Sequence, residues 1–434
     1  MKNIQILIII VYFGLTLSVF SQINFDVRKS LSDATKYLQT GNFTEAEKIL
    51  LEAKKSAPTN SDVHNLLGII YDQKGNFTQA ETEYRAAIRL NPKAVSPLAN
   101  LGILLAKTKR ERDAINIFES ALQLNPNHPQ TIINLGFLYH STENFPRAVE
   151  FLNKANIIQP NNYDILFKLG AATYQTKKLD EAKQIFETVK TIAPNSAETF
   201  YYLGLIAFDQ NADEIATQNF ETALNFQPNF ADANFMLGEI MSKHLNYQTA
   251  KDYYDKAIQA DNSKPVYFIR LGGAYLYLKD YPKSLEIFKN ASAHFPKIPD
   301  IQYFLAVAER INGNFDLAQN SAQKALSLKP NYADALALTG AILFDKNELI
   351  EAEKYLHRAI ALSPNNFNAN NDLGRLLVKQ QRFIEALPML QRASQISPNN
   401  PDVHYQLFLA LSRLKRKVEA DKELAIFKEL SNKK

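Results

Sequence analysis

The sequence predicts an all-α protein, an α-solenoid of twelve antiparallel helix pairs, from a 34-residue proline period and two apolar spacings that share its register. Units with such a period cannot bury their apolar face alone and must stack on one another. The twelve units start at residues 27, 61, 95, 129, 163, 197, 231, 265, 299, 333, 367 and 401. Ten prolines share position 32 of the unit: Pro58, Pro92, Pro126, Pro160, Pro194, Pro228, Pro296, Pro330, Pro364 and Pro398.

Each unit carries the spacings of two amphipathic helices. Positions 4, 7, 8 and 11 follow the i, i+3, i+4, i+7 pattern of a first helix, and positions 20, 24 and 27 follow that of a second. Position 8 is glycine in nine units, which lets two helix backbones approach, and a large residue at position 24 fills the remaining space. Glycine at position 15 in three units marks the turn, and proline at position 32 ends the second helix.

With so many positions in one register, residues 27–434 resemble the tetratricopeptide repeat family. The resemblance implies a right-handed superhelix whose first helices line a concave groove. It also implies that positions 2, 5, 6, 9, 12 and 13 of each unit face that groove and bind extended or helical segments of partner proteins. We call these positions the first-helix face.

Carrying those positions onto the sequence points to a partner-binding stretch rich in aromatic residues and arginine, the anchors of many protein interfaces. The candidate residues are Asn100, Asn134, Phe167, Lys168, Tyr201, Tyr202, Phe235, Arg270, Tyr303 and Arg310. The two asparagines resemble those that hold a peptide backbone in the family's glycosyltransferase members. For the aromatic residues at position 5, packing against the next unit is the competing interpretation, and it stays open. The carboxylate clamp of the family's chaperone-tail binders is absent, since position 5 never holds lysine and position 9 never holds asparagine.

Catalysis, cofactors and metals are not expected. The glycines outside the leader lie at position 8, at position 15 or beside Gly272, so no Walker or Rossmann loop is present. The chain has no cysteine, and its seven histidines show no zinc-binding spacing. Acids recur at position 2, where a carboxylate stabilises the start of a helix, which favours a structural role over a paired-carboxylate or calcium site. The sequence therefore predicts that the protein is not an enzyme.

Charge gives no sign of nucleic acid binding. The chain has 49 basic and 45 acidic residues, a formal net charge of +4, and no broad basic face. The local excess at Arg413, Lys415, Arg416, Lys417 and the terminal Lys433–Lys434 suits either a polar end of the last unit or a basic docking patch.

The first 21 residues resemble a secretory signal peptide. Lys2 precedes an apolar run from Ile6 to Phe20, which is shorter than a membrane-spanning helix requires. We expect residues 1–21 to be removed, with an uncleaved N-terminal anchor as the alternative, and residues 22–26 to form a short segment before the first unit. The protein is then periplasmic or secreted, or attached to the membrane only by that anchor.

From these observations we expect a non-catalytic protein-binding scaffold that takes partner segments on the first-helix face of an exported repeat array. The first alternative is a receptor for a glycan or small ligand on the aromatic groove. The second is an assembly subunit of an envelope or secretion machine. The identity of the partner, the oligomeric state, and whether the Asn-x-Ser/Thr sequons at Asn42, Asn76 and Asn290 are glycosylated stay open.

Overall fold

The computed structural model describes residues 25–432, which form 24 α-helices and no strand. The predicted signal peptide, residues 1–21, and residues 22–24 of the segment that follows it lie outside the described residues. The chain divides into two compact parts, and the division falls between Pro194 and Asn195. We call them the N-terminal part and the C-terminal part. The all-α solenoid predicted from the proline period is confirmed.

The N-terminal part contains five helix pairs. They are α1 (Phe25–Gln39) with α2 (Phe43–Ser56), α3 (Ser61–Gln73) with α4 (Phe77–Leu90), α5 (Val95–Lys107) with α6 (Glu111–Leu124), α7 (Pro129–Ser141) with α8 (Phe145–Ile158), and α9 (Tyr163–Gln175) with α10 (Leu179–Ile192). Within the N-terminal part, each second helix from α2 to α8 also packs on the first helix of the next pair.

The C-terminal part contains seven pairs built in the same way. They are α11 (Ala197–Asp209) with α12 (Asp213–Phe226), α13 (Ala231–Lys243) with α14 (Tyr247–Ala260), α15 (Pro265–Tyr277) with α16 (Tyr281–His294), α17 (Pro299–Ile311) with α18 (Phe315–Leu328), α19 (Ala333–Asp345) with α20 (Leu349–Leu362), α21 (Phe367–Lys379) with α22 (Phe383–Ile396), and α23 (Pro401–Arg413) with α24 (Lys417–Asn432).

The two helices of a pair meet along a seam between positions 8 and 24. A Cβ atom added to Gly272 would lie 2.4 Å from the ring of Phe288, and one added to Gly238 would lie 2.5 Å from Tyr254. In the ninth unit both positions are alanine, Ala306 and Ala322, and both are fully buried. A small residue therefore faces a large one where glycine is present, and two alanines replace that pair in the ninth unit. We call this contact the seam.

The turn inside every pair uses a left-handed residue at position 15. Three of these residues are glycine, with φ of 74° to 78°. The other nine are not glycine and have φ of 59° to 63°: Lys109, Glu143, Lys177, Asn211, Leu245, Lys279, Asn347, Gln381 and Lys415. The conformation closes the first helix, because Leu245 N donates to Ser242 O at 2.9 Å and Asn246 N donates to Met241 O at 2.9 Å.

First helices of neighbouring pairs also touch one another in the C-terminal part, as α17 does with α19 and α19 does with α21. Residues at equivalent positions on these helices therefore come side by side although they are about 34 residues apart in sequence. This stacking is what brings parts of the first-helix face together.

Candidate functional site

The ten candidate residues all lie on first helices. Four are in the N-terminal part, namely Asn100 on α5, Asn134 on α7, and Phe167 and Lys168 on α9. Six are in the C-terminal part, namely Tyr201 and Tyr202 on α11, Phe235 on α13, Arg270 on α15, and Tyr303 and Arg310 on α17.

The two asparagines have different surroundings. Asn100 Nδ2 donates to Asn65 Oδ1 on the preceding first helix at 3.0 Å. Asn134 Oδ1 accepts a long hydrogen bond of 3.4 Å from Gln130, while Asn134 Nδ2 is buried and has no hydrogen-bond partner. The amide of Asn134 therefore retains an unused donor, whereas that of Asn100 is engaged with its neighbour.

Phe167 and Lys168 are both half-buried. The ring of Phe167 lies 5.7 Å from that of Phe186 in the second helix of its own pair. Lys168 Nζ lies 5.6 Å from the ring centre of Phe137, a cation–π contact with the preceding first helix. Burial and the nearby ammonium of Lys168 lower the pKa of His140 to about 4, which keeps that imidazole neutral.

Three of the four aromatic residues at position 5 in the C-terminal part pack between repeats. The ring of Tyr201 lies 4.9 Å from Phe230 in the loop that follows, and Phe235 lies 4.9 Å from Tyr267 on the next first helix. Tyr303 repeats the arrangement with Tyr332 at 5.3 Å. All three candidate rings are half-buried. Packing between repeats is thus established for these rings, and their use in binding stays a prediction.

Arg270 is bonded to a carboxylate of the preceding pair, and Tyr202 is half-buried. Arg270 Nε donates to the carboxylate oxygens of Glu239 at 2.9 and 3.1 Å, and the hydroxyl of Tyr254 donates to the same carboxylate at 2.6 Å. About half of the Arg270 side chain is exposed. Burial raises the pKa of the Tyr202 hydroxyl, with a smaller contribution from Asp232.

Tyr303 and Arg310 line a cavity of about 160 Å³ on the faces of α17, α19 and α21. Its remaining lining residues are Val307, Ile311, Asp334, Ala337, Leu338, Ala341, Asn368 and Asp372. Every one of them occupies position 2, 5, 6, 9, 12 or 13 of its unit. We call this hollow the face cavity.

Charges at the face cavity form a small network. Arg310 Nε donates to Asp345 Oδ2 at 2.7 Å, and Arg375 Nη1 lies 3.1 Å from Asp372 Oδ1. Asp372 is only 7% exposed. Burial raises the pKa of its carboxyl group, although Arg310 and Arg375 both act in the opposite direction. The cavity therefore combines an apolar floor with a carboxylate that has lost most of its water.

A second cavity, of about 750 Å³, lies among α12, α13 and α14. Its polar lining includes Glu221, Asn225, Asn229, Asn234, Lys256 and Gln259, with Tyr253 beside them. Position 4 of the unit is a bulky apolar residue in several other pairs, such as Leu98 and Leu336, whereas here it is Asn234. The smaller, polar side chain of Asn234 lines the cavity at that position.

Two acidic residues of the face cavity were not predicted from the sequence. Asp334 stands at position 2 and does lie in the first turn of α19, as the helix-start interpretation requires, but it also lines the cavity. Asp372 was not singled out, although an acid at position 6 next to the buried Leu373 was a usable signal. Within residues 25–432, no group of three or more histidine, cysteine, aspartate or glutamate side chains could hold a metal ion. The helices of the same range include none long and apolar enough to cross a membrane.

Solved structures with a similar fold align over much of the chain. A chain of the Naa15/Naa10 complex bound to HypK-THB is 16% identical, with 92% of this chain and 67% of that chain covered and a TM-score of 0.42. A chain of the APC/C hetero-tetramer Cut9–Hcn1 is 15% identical, with 89% and 96% covered and a TM-score of 0.46. The C-terminal part of a TPR repeat-containing protein from Cytophaga hutchinsonii is 22% identical, with 55% and 98% covered and a TM-score of 0.46. No curated protein matches the sequence.

Three family models match, and each describes a tetratricopeptide repeat. One matches residues 33–95, 65–129, 269–318, 310–367 and 343–401. The second matches residues 105–161 and 377–426, and the third matches residues 164–196. Repeats of this kind support protein-interaction scaffolds, and the scaffold fold is typically non-catalytic. Because the first model alone matches more than half of the chain, this protein belongs to the tetratricopeptide repeat family.

Proposed function

We propose that the protein is an exported, non-catalytic scaffold that binds segments of partner proteins on its first-helix face. The observation that carries the proposal is the face cavity, because it is a concave site with an apolar floor and a few charged groups, the composition of a peptide-binding subsite. It is built entirely from first-helix positions of three successive pairs.

Site-specific photocrosslinking tests where the partner binds. A photoreactive amino acid replaces Ile311, which lines the face cavity and is 45% exposed, in the protein expressed in its native host. The matched control carries the same replacement at Ile350, which is 74% exposed on the second helix α20. We expect a discrete crosslinked protein from position 311 and none from position 350. Equal products at both positions, or no product at 311, would remove the proposal.

The aromatic residues at position 5 need a test that separates binding from packing. Tyr201 and Tyr303 are replaced by alanine singly and together, and both the melting temperature and the yield of the crosslink at position 311 are measured. Because their rings contact Phe230 and Tyr332, we expect some loss of stability from either change. If these rings also bind the partner, the crosslink falls at temperatures where the double variant is still folded. An unchanged crosslink in the folded double variant assigns the rings to packing alone.

Export through residues 1–21 is part of the same proposal. N-terminal sequencing of protein from the native host should find a mature chain that begins at or near Gln22, outside the cytoplasm. Recovery of soluble cytoplasmic protein with Met1 intact would contradict export. Recovery of a full-length chain with membranes would instead favour the N-terminal anchor.

The cavity around Asn234 favours a second candidate function, a receptor for a glycan or another small polar ligand. Its amide side chains and Tyr253 are groups that can hydrogen-bond and stack on such a ligand. Calorimetric titration with oligosaccharides compares the native chain with Asn234→Leu, which restores the apolar residue found at position 4 elsewhere. Binding that disappears in Asn234→Leu supports this candidate, and the absence of binding to the native chain counts against it.

A further inference from the structure

The face cavity owes its shape to two small residues in the tenth unit. Position 5 is Ala337 and position 9 is Ala341 there, both at most 2% exposed. The pair before it places Tyr303 and Val307 at the same positions. A hollow therefore lies on α19 between larger neighbours, and its size, about 160 Å³, suits one side chain rather than a whole ligand.

The floor of the cavity is apolar and its rim is acidic. Val307, Leu338 and Ala341 offer methyl and methylene surface, while Asp334 and Asp372 offer carboxylates. A long aliphatic stem that ends in a charged group fits such a site, because lysine and arginine bury their methylenes and keep the charged end at polar groups.

The sign of the charge follows from the neighbouring side chains. On their first-helix-face positions, α17, α19 and α21 carry four acids against three bases: Asp300, Asp334, Asp345 and Asp372 against Arg310, Arg375 and Lys379. The chain as a whole has the opposite balance, with 49 basic and 45 acidic residues. This patch is thus locally acidic on a chain that is slightly basic.

Arg310 does not reverse that balance, because its Nε is already used by Asp345 at 2.7 Å. Asp372 has Arg375 at 3.1 Å and is 7% exposed, so it has little water to stabilise its charge. The raised pKa of its carboxyl group shows that the two arginines do not fully offset the cost of burial. A further cation beside Asp372 would be stabilised there.

We propose that the face cavity accepts a lysine or arginine side chain of a partner segment, with its stem on Val307, Leu338 and Ala341 and its charge against Asp334 and Asp372. This inference rests on the proposed function and specifies the chemistry of the partner. An acidic partner segment held by Arg310 is the opposing outcome of the test.

Peptide libraries test the inference with the full-length chain. Each library has nine residues without ionisable side chains except for a fixed central residue, which is lysine, arginine, norleucine or glutamate. Norleucine keeps the aliphatic stem without the charge. We expect the lysine and arginine libraries to be retained about tenfold more than the other two, the ratio that a charge-assisted hydrogen bond of ordinary strength produces. Added salt should reduce that preference.

Three variants identify the groups responsible. The preference should fall to about threefold or less in Asp334→Asn with Asp372→Asn, since the shape stays and the charge is lost. Asp402→Asn changes the equivalent position-2 acid on α23, outside the face cavity, and should leave the preference unchanged. Asp334→Asn alone alters an exposed residue and keeps the test decisive if the buried substitution impairs folding, which the melting temperature reports.

Equal retention of the norleucine and lysine libraries overturns the inference. Preference for glutamate overturns it too, as does a lysine preference that both variants carrying Asp334→Asn leave intact. These failures are separable from failure of the proposed function. If the crosslink at position 311 forms and the basic preference is absent, only the charge assignment is wrong. If neither appears, the first-helix face does not bind partner segments at all.

Discussion

The seam and the first-helix face are built from the same helices and follow different rules. Along the seam, glycine at position 8 meets a large residue at position 24 in nine pairs, with the added-Cβ distance between 2.4 and 2.9 Å. On the face, position 5 changes from Tyr303 to Ala337 to Asn371 in three successive pairs. Repetition marks the surface that holds the array together, and variation marks the surface that is open to a specific function.

The difference has a physical cause. A seam residue has no freedom, because a single methyl group added at Gly272 meets the ring of Phe288. A face residue such as Ile311, which is 45% exposed, has neighbours on one side and solvent on the other, so several side chains are tolerated there. The four predictions below test how sharply the two surfaces differ, from the largest expected effect to the smallest.

The core beside the seam should carry the largest stability effect. Leu237 at position 7 is fully buried, and Leu203 at the equivalent position is 5% exposed, as the periodicity predicts. We expect Leu237→Ala to lower the free energy of unfolding by about 2 to 5 kcal/mol, measured by chemical denaturation. Hydrogen exchange should rise first in α13 and its neighbours, because repeats are coupled mainly to adjacent repeats. A uniform rise of hydrogen exchange across the N-terminal and C-terminal parts would contradict this local coupling.

Two adjacent glycines in α15 compare the seam and the face directly. Gly272→Ala places a methyl group 2.4 Å from Phe288, whereas a Cβ at Gly273 meets nothing within 4 Å. We expect Gly272→Ala to destabilise by about 1 to 3 kcal/mol through overpacking. Gly273→Ala should stabilise by about 0.5 to 1 kcal/mol, since alanine is the better helix former. Equal effects of the two substitutions in thermal denaturation would erase the distinction between the surfaces.

Acid should lower the stability of the N-terminal part through His140, which lies on the first-helix face. Its folded pKa of about 4 is below the usual 6.5, so the neutral form contributes stability above about pH 6.5, and this contribution is lost as the pH falls through about 4. After allowance for solvent screening we expect about 1 to 2 kcal/mol between pH 7 and pH 4. Denaturation of His140→Phe should lack this part of the pH dependence. His357→Phe, at an exposed position on α20, should retain it.

The turn at position 15 should carry the smallest effect. Leu245 has a φ of 59° and is 72% exposed, so its main cost is backbone strain. We expect Leu245→Gly to stabilise by about 1 kcal/mol and Gly75→Ala, with a φ of 78° and open space around the added Cβ, to destabilise by a similar amount. A loss of stability in Leu245→Gly would show that the leucine side chain, rather than the backbone, decides this turn.

The helical architecture could be predicted because its evidence is local and repeated. Proline at position 32, alanine at position 20 and glycine at position 8 each restrict the same small element, and twelve copies share the register. The turn at position 15 was predictable only in part, at Gly41, Gly75 and Gly313. Nothing about Leu245 or Lys279 by itself indicates a left-handed conformation, which the helix end imposes on whichever residue is there.

The candidate site could be located by position but not described. Tyr303 and Arg310 were found by carrying onto the sequence the groove positions that the family resemblance implies. The hollow beside them depends on Ala337 and Ala341, which look like ordinary helix residues in the sequence. The sequence also could not show that the ring of Tyr201 rests on Phe230, because the contact depends on how a loop returns across the next pair.

What the sequence by itself determined is therefore the all-α repeat architecture, the family and the identity of the buried seam, since these depend on contacts within one 34-residue unit. Only the tertiary structure decided which charges meet on the face. Arg310 reaches Asp345 and lies near Asp372, and these residues come from three different helix pairs. Such contacts depend on the stacking of one pair on the next, which no single unit encodes.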